Sequence, residues 1–513
     1  MLKRSLALGP AVVVLVLGLG IGPKYDRFVL PAFDGHVYAA MAEHPRLFTV
    51  APWGYRILEP WLVFLIPAPS VAVGFFWLNL ILLAGAIFTT GWWLRRLGFS
   101  DVAASLASFA FAVSPPVVLL LDYQVLVDPL AVLFLVLIYA ELERRDLPSL
   151  MALFAVAALT KETGLMALAL LPFYLATRGR ILRGLLDSAV VAAPALALSV
   201  LIRVSWGSPQ PPPYAYSILD LTLGRIIASG WTLAGTVLLS GLSLFAAVGL
   251  WRESSIRLRI QGVLMWIFVF GLIVANPYHY SVKDLPRLSV FAWPALLPLA
   301  LSGLGFKRSL APEAPPCRDG LRQAAAVLTL LSCLGLVAAT DPYQRAPFPH
   351  PADAVALLGR IRESVKTARA LDQGEVFAFD PRAPRYAEPI TERFNLTEGR
   401  RHRWFLYEGF GADAVFESGM PEFTGEARLL LPLLVPRDLR LNIEVAGRSG
   451  APLAVSAAGR RIAVIQAGAQ ASVVIPKEAL IRGDNLILFR GASGEKFRLL
   501  GFDARLEGAP PLD

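Results

Sequence analysis

Residues 71–96 read VAVGFFWLNLILLAGAIFTTGWWLRR. No side chain from Val71 to Leu94 carries a charge, and the run stops on Arg95-Arg96. A helix needs roughly 20 apolar residues to cross about 30 Å of hydrocarbon, and basic residues collect on the cytoplasmic side of short loops. The stretch therefore predicts a transmembrane helix that ends in the cytoplasm. The whole chain has the same character: of 513 residues, 56% are hydrophobic and only 17% charged, and the mean hydropathy is +0.57. Ordinary soluble domains run nearer half apolar and a quarter charged, so a polytopic protein in contact with membrane lipids is expected. The formal charge of +9 does not point to a nucleic-acid partner, because Arg and Lys lie in short clusters between apolar runs and form no single stripe.

The same two rules extend in both directions from residues 71–96. Upstream, Met1-Leu2-Lys3-Arg4 precedes an apolar run, about Leu6 to Ile21, with no A-x-A-like cleavage site after it; this reads as an uncleaved first helix entering from the cytoplasm. It delivers Lys24 to Pro60 to the outside, where Arg56 to Ile66 reads as an amphipathic surface segment stopped by Pro67-Ala68-Pro69. Downstream, a third helix, about Val102 to Leu121, exits at Asp122-Tyr123-Gln124, and a fourth, from about Asp128, returns to Glu141 through Asp146. Leu147 to Ala176 is either one long helix or two short ones broken at Thr160-Lys161-Glu162-Thr163-Gly164. Both flanks are basic, so an even number of crossings is required, and a hairpin of two arms is expected. Each arm spans only about 20 Å. Lys161 and Glu162 then lie at membrane depth, which is tolerated where a polar cavity receives them.

Further helices are expected at about Leu185 to Val204, Ile226 to Leu250, Ile260 to Ala275, Leu288 to Leu304 and Leu321 to Ala339. The expected fold is thus about eleven transmembrane helices over residues 1–340, N-terminus cytoplasmic, followed by an extracytoplasmic connecting segment, 341–425, with an amphipathic helix from Ala352 to Leu371. Short alternating runs from about Glu426, including Leu439 to Val445, Arg461 to Ile465, Ala471 to Ile475, Asn485 to Phe489 and Phe497 to Leu506, predict an extracytoplasmic β-sandwich over 426–513. Cys317 and Cys333 fall in a cytoplasmic loop and within a helix, so both are expected to be free.

In this topology Asp34, His36, Arg56, Asp122, Asp128, Lys161, Glu162, His279, Lys283, Asp284 and Arg287 converge on the outer face. Glycosyl transfer from a lipid phosphate needs a base for the acceptor hydroxyl and cations for the departing phosphate; this set offers both. Asp34 soon after the first helix, the run Tyr55 to Trp61, Val127-Asp128-Pro129, Leu159 to Gly164 and Leu285-Pro286-Arg287 carry a resemblance. From Met1 to about Leu304 the chain resembles the C-type (GT-C) glycosyltransferase superfamily, membrane enzymes that use polyprenyl-phosphate-linked sugars. The resemblance implies such a donor, a glycan, lipid or protein acceptor, Asp34 as catalytic base, and Lys161 and Arg287 on the donor phosphate. Arg56 and Lys283 join the phosphate set; His36, Tyr55, Asp122, Asp128, Glu162 and His279 are candidate substrate-binding residues. Many relatives carry two adjacent acids in the first loop, whereas Gly35 and His36 follow Asp34 here. The β-sandwich looks like the carbohydrate-binding appendage of some members.

Simpler roles compete for the same residues. Asp34 can N-cap a short surface helix, His36 to Glu43; Arg56 can snorkel at the interface; Asp128-Pro129 fits a helix N-cap and first-turn proline. No cofactor is expected: a divalent cation is compatible with the set but no residue indicates one, and His36 and His279 lack zinc-ligand spacing. The reading is inverting transfer at the outer face of a bacterial inner (plasma) membrane. Its alternatives are a transporter or flippase, or a polymerase or ligase, of lipid-linked glycans.

Overall fold

The structure is a computed structural model that describes residues 2–24, 33–43, 45, 55–176, 181–205, 230–275, 287–309, 320–340, 367–368, 370–379, 406–410, 421–433, 435–448, 450–481, 483–492 and 494–508. The chain forms two compact units, Met1–Tyr25 with Pro31–Pro347, and Asp26–Leu30 with Phe348–Asp513.

The first unit is helical. In chain order it holds α1 (Leu2–Ile21), α2 (Phe33–Glu43), α3 (Leu58–Phe64), α4 (Val71–Arg96), α5 (Asp101–Ala112), α6 (Pro115–Asp122), α7 (Asp128–Arg144), α8 (Leu147–Thr160), a 3₁₀ segment (Glu162–Leu170), α9 (Leu171–Leu175), α10 (Ile181–Ser205), α11 (Gly230–Arg252), α12 (Ile256–Ala275), α13 (Ala292–Gly303) and α14 (Gly320–Thr340). Local sequence sets many of these ends. Ser70 caps α4, its side chain accepting from Val73 N at 3.3 Å, and Gly98 stops the chain after it in a left-handed conformation, φ +93°, that glycine adopts without a Cβ clash. Ser100 caps α5 in the same way.

The third helix, expected as one span, is broken. α5 and α6 meet at an angle of 47°, because Pro115 and Pro116 supply no backbone N–H and Ser114 before them is extended, with ψ 148°. The surface segment is shorter than expected, seven residues of helix in α3. Asp34 is inside the first turn of α2, which starts at Phe33, and so does not cap it. Asp128 also fails as an N-cap: Val127 occupies that position and Asp128 is the first helical residue.

Among the described residues three helices are long and apolar enough to cross a membrane, Val71–Arg96, Ile181–Val204 and Arg322–Thr340, and the bent α5–α6 pair makes a fourth. Polar contacts sort the helix ends into two groups. At one end Gln124 Nε2 donates to Gly22 O (2.7 Å), Lys24 pairs with Asp122, Asn79 Nδ2 donates to Gln124 O and Leu126 O (2.8 Å each), and Trp61 Nε1 donates to Thr340 Oγ1 (2.8 Å). At the other, Ser309 N donates to Gly98 O (2.9 Å), Arg308 pairs with Glu253 (2.7 Å) and Arg322 with Asp146 (3.4 Å). Ser100, which opens α5, belongs to the second group with Gly98, and Asp122, which closes α6, to the first. The bent pair therefore runs from one end to the other.

Residues 147–176 form the expected hairpin. α8 starts beside Asp146 in the second group, Lys161 breaks it with extended backbone (φ −165°, ψ 142°), and the 3₁₀ segment and α9 lead back, where Tyr174 donates to Gln261 Oε1 near the start of α12 (2.7 Å). Gly164 allows the arms to close: a Cβ there would press on the Ala157 side chain. Elsewhere α11 and α13 touch backbone to backbone. A Cβ on Gly249 would strike the Leu299 carbonyl, and one on Gly303 the Phe245 carbonyl, the close approach that small residues permit between helices in lipid. Cys333 is buried in α14 and free, as expected; Cys317 lies outside the described residues.

The second unit holds β1 (Phe377–Phe379), β2 (Leu406–Phe410), β3 (Glu422–Leu433), β4 (Leu439–Ala446), β5 (Pro452–Ala457), β6 (Arg460–Gln466), β7 (Gln470–Ile475), β8 (Gly483–Arg490) and β9 (Lys496–Leu506). All nine are hydrogen-bonded into one sheet, in the order β6-β5-β8-β3-β9-β4-β7 with β1 on β9 and β2 on β3. Two separate sheets were expected. β3 joins the halves: residues 422–424 pair with β9, Gly425 turns the strand with φ +74°, and residues 426–433 pair with β8. The edge strands β6 and β7 are consecutive and linked by residues 467–469 only, so the sheet curls into a barrel-like form. Alternate residues face one core, with Leu441 and Ile443 on β4, Leu453 and Val455 on β5, Ile487 and Phe489 on β8 and Leu499 on β9. Of the expected helix from Ala352 to Leu371 only the last turn is described; Leu371 packs in this core.

Candidate functional site

The first group of helix ends surrounds a cluster of charge drawn from five places in the chain. Asp34 and Tyr38 come from α2, one turn apart on the same side of the helix. Arg56 precedes α3. Asp128 opens α7, Lys161 and Glu162 form the hairpin tip, and Arg287 stands in a helical turn before α13.

Two chains of contacts run through the cluster. In the first, both terminal nitrogens of Arg287 reach Asp34 Oδ2 at 3.3 Å, its Nε faces Asp128 Oδ1 at 3.9 Å, and Lys161 Nζ donates to Asp128 Oδ1 at 2.7 Å. Burial increases along it. The side chains of Asp34 and Arg287 are 17% and 11% exposed, those of Asp128 and Lys161 1% and 5%. Lys161 also lies over the Phe291 ring at 5.4 Å. In the second chain, Arg56 grips Glu162 Oε2 through Nε (3.0 Å) and Nη2 (2.9 Å) and donates through Nη1 to the Tyr38 hydroxyl (2.6 Å). Arg203, from the C-terminal turn of α10, approaches Glu162 Oε1 at 3.8 Å and lies over the Tyr55 ring at 4.8 Å. Burial pushes the Tyr38 phenol above its ordinary pKa, so it remains a neutral hydroxyl.

The structure thus brings together Asp34, Tyr55, Arg56, Asp128, Lys161, Glu162 and Arg287. Lys161 and Glu162 are neighbours with different partners, as expected of adjacent residues that do not face one another. Asp122 is not in the cluster; it is half-exposed, and pairs with Lys24 in tying the end of α1 to that of α6. Arg56 does not snorkel to the surface: its guanidinium binds Glu162 and Tyr38, and its side chain is mostly buried. The side chain of His36, and the whole of His279, Lys283 and Asp284, lie outside the described residues. Among the described residues no group of three His, Cys, Asp or Glu side chains is arranged to hold a metal ion.

Four residues of the site went unassigned in the sequence: Tyr38, Glu59, Asn79 and Arg203. Asn79 and Glu59 left a signal. Each is a polar side chain inside an otherwise apolar stretch, and both are buried, 2% and 0% exposed. Chemically, the cluster sets a partly open carboxylate, Asp34, beside Arg287, which also faces the buried Asp128. Both contacts on Asp34 are long for charge-assisted bonds, which run about 2.7–2.9 Å, so Arg287 is held loosely there and Lys161 tightly.

No family model matches the chain, and no curated protein matches it. Among solved structures, a variant of arabinofuranosyltransferase AftD from Mycobacteria aligns over 100% of this chain and 62% of its own, at 13% identity and a TM-score of 0.35. The chain thus spans less than two thirds of that protein's length.

Proposed function

We propose that this protein is a membrane-embedded glycosyltransferase of the GT-C type, which moves a sugar from a polyprenyl-phosphate carrier to a glycan, lipid or protein acceptor at the outer face of the membrane, with inversion. The observation that carries the reading is Asp34: a partly exposed carboxylate in direct contact with Arg287, itself beside the buried Asp128–Lys161 pair. The acceptor hydroxyl oxygen attacks the anomeric carbon opposite the phosphate, and Asp34 takes its proton. The bond from the anomeric carbon to the phosphate oxygen breaks, and the lipid monophosphate leaves with the electron pair. Arg287, loosely held by Asp34, is the cation placed to exchange onto that phosphate, with Lys161 behind it. The exchange frees the base when the donor arrives. No metal or cofactor enters this scheme.

The proposed topology keeps the N-terminus and the Arg-rich end in the cytoplasm, the eleven helices with the two hairpin arms included, and the sheet domain outside, in a bacterial inner membrane. The opposite end favours an enzyme over a transporter. There Glu253, 3% exposed, accepts from Arg308 (2.7 Å), Ser302 (2.8 Å) and the Ser255 backbone (2.8 Å), a packed tie among α11, α12 and α13. The test is transfer by purified protein from a polyprenyl-phosphate sugar. Asp34→Asn should lose about 10²–10⁴-fold, the usual contribution of a general base. Full activity in that variant would overturn the assignment.

A further inference from the structure

Glu59 is fully buried on α3, yet neither carboxyl oxygen accepts a hydrogen bond among the described residues. A carboxylate in that position, without donor or counter-ion, would be very costly. Lys161, whose charge acts on Glu59, is already engaged by Asp128 at 2.7 Å, and Asp128 itself adds a repelling negative charge. The side chain against Glu59 is Asn79. Its amide nitrogen gives both protons away, to the carbonyls of Gln124 and Leu126, which leaves its Oδ1 an acceptor with no donor among the described residues. With the amide protons spent, a hydrogen bond between the two side chains needs a proton on one of the oxygens, and only the carboxyl can carry it.

We propose that Glu59 is a positioning residue of the site: as a neutral acid it donates a hydrogen bond to Asn79 Oδ1 and so fixes the amide that pins residues 124–126, the segment delivering Asp128. Burial, first, and the charge of Asp128 act in the same direction, holding the Glu59 proton well above the ordinary carboxylate range. The neutral state also sets the charge of the cluster. Among the described residues Arg56, Lys161, Arg203 and Arg287 then face Asp34, Asp128 and Glu162, four cations against three anions, a surplus of one suited to a phosphate. That last consequence rests on the transferase reading; the protonation and the hydrogen bond do not.

Infrared difference spectroscopy on the full chain in nanodiscs tests it. At neutral pH, wild type minus Glu59→Gln should show the carbonyl band of a protonated carboxylic acid, shifted in D₂O; absence of the band would overturn the proposal. Gln keeps a donor for Asn79 Oδ1, so Glu59→Gln should retain transfer within a few-fold, while Glu59→Leu, which leaves Asn79 Oδ1 without a donor, should lose roughly tenfold. A Leu variant as active as wild type would also refute it. Should no variant or wild type transfer sugar, the transferase reading fails and the band alone decides the role of Glu59.

Discussion

Removing Lys161 should unfold this protein sooner, and removing its partner as well should largely repair it. Asp128 is 1% exposed and meets two cations, Lys161 at 2.7 Å and Arg287 at 3.9 Å. Because Coulomb attraction falls as the inverse of distance, Lys161 supplies about six-tenths of the pull on Asp128 and Arg287 about four-tenths. Breaking a buried pair by deleting one member costs about 3–5 kcal/mol, since the other charge is left in a dry site. With Arg287 still in place, Lys161→Met should fall at the lower end, about 3 kcal/mol. Lys161→Met with Asp128→Asn removes the stranded charge and should recover at least half of that loss, while transfer activity stays lost. The assay is unfolding by titration with sodium dodecyl sulfate in mixed micelles, followed by circular dichroism. A single variant as stable as wild type, or a double variant no more stable than the single, would refute the argument that the pair is buried and mutually dependent.

Two further outcomes follow from the packing and the sheet. Gly249→Val should destabilise the helical unit, because a side chain there meets the Leu299 carbonyl and not a yielding side-chain tip; overpacking of this kind costs about 1–3 kcal/mol, read in the same titration, with Gly241→Val, which meets nothing, as the control. In the sheet, hydrogen bonds from Arg498 and Arg490 hold the Glu422 and Glu426 carboxyls below their ordinary pKa. A lowered carboxyl pKa contributes stability above the unfolded value of about 4.3 that is lost as pH falls through the folded value. Both groups are exposed, so the protection of β3 amides, taken relative to their intrinsic exchange rates at each pH, should fall only slightly on acidification through that range; protection that rises there would contradict the pairing.

Much of the fold was legible because its determinants are local. The apolar run ending at Arg95-Arg96 marks α4 to within two residues, and the basic flanks of residues 147–176 required a hairpin before any contact was known. The break between α5 and α6 was equally readable in Pro115-Pro116 and was passed over, since the apolar pattern runs through it. Strand β5 escaped although Gly450 and Gly459 bound it, because Pro452, Ala454 and Ala457 give this six-residue run a weak strand propensity. The site was legible as a set of residue types on one face, but its pairing was not. Arg287 meets Asp34 across 253 positions and Arg56 meets Glu162 across 106, and no local spacing records such partners. Glu59 was hidden by its setting: an acid in a short amphipathic stretch reads as a surface residue, and only its burial against Asn79 shows otherwise.

The order in which these partners occur along the chain also constrains how the protein is made. A lysine carried to membrane depth is costly on its own, and in the proposed topology the hairpin takes Lys161 there on arms too short to span. Asp128 precedes it in the sequence, so synthesis places the counter-ion first and lets the hairpin enter against a waiting carboxylate. Arg287 comes last. Until the segment before α13 emerges, Asp34 lacks the guanidinium it meets in the fold, which makes α2 the first part of the cluster to be translated and the last to gain its partner.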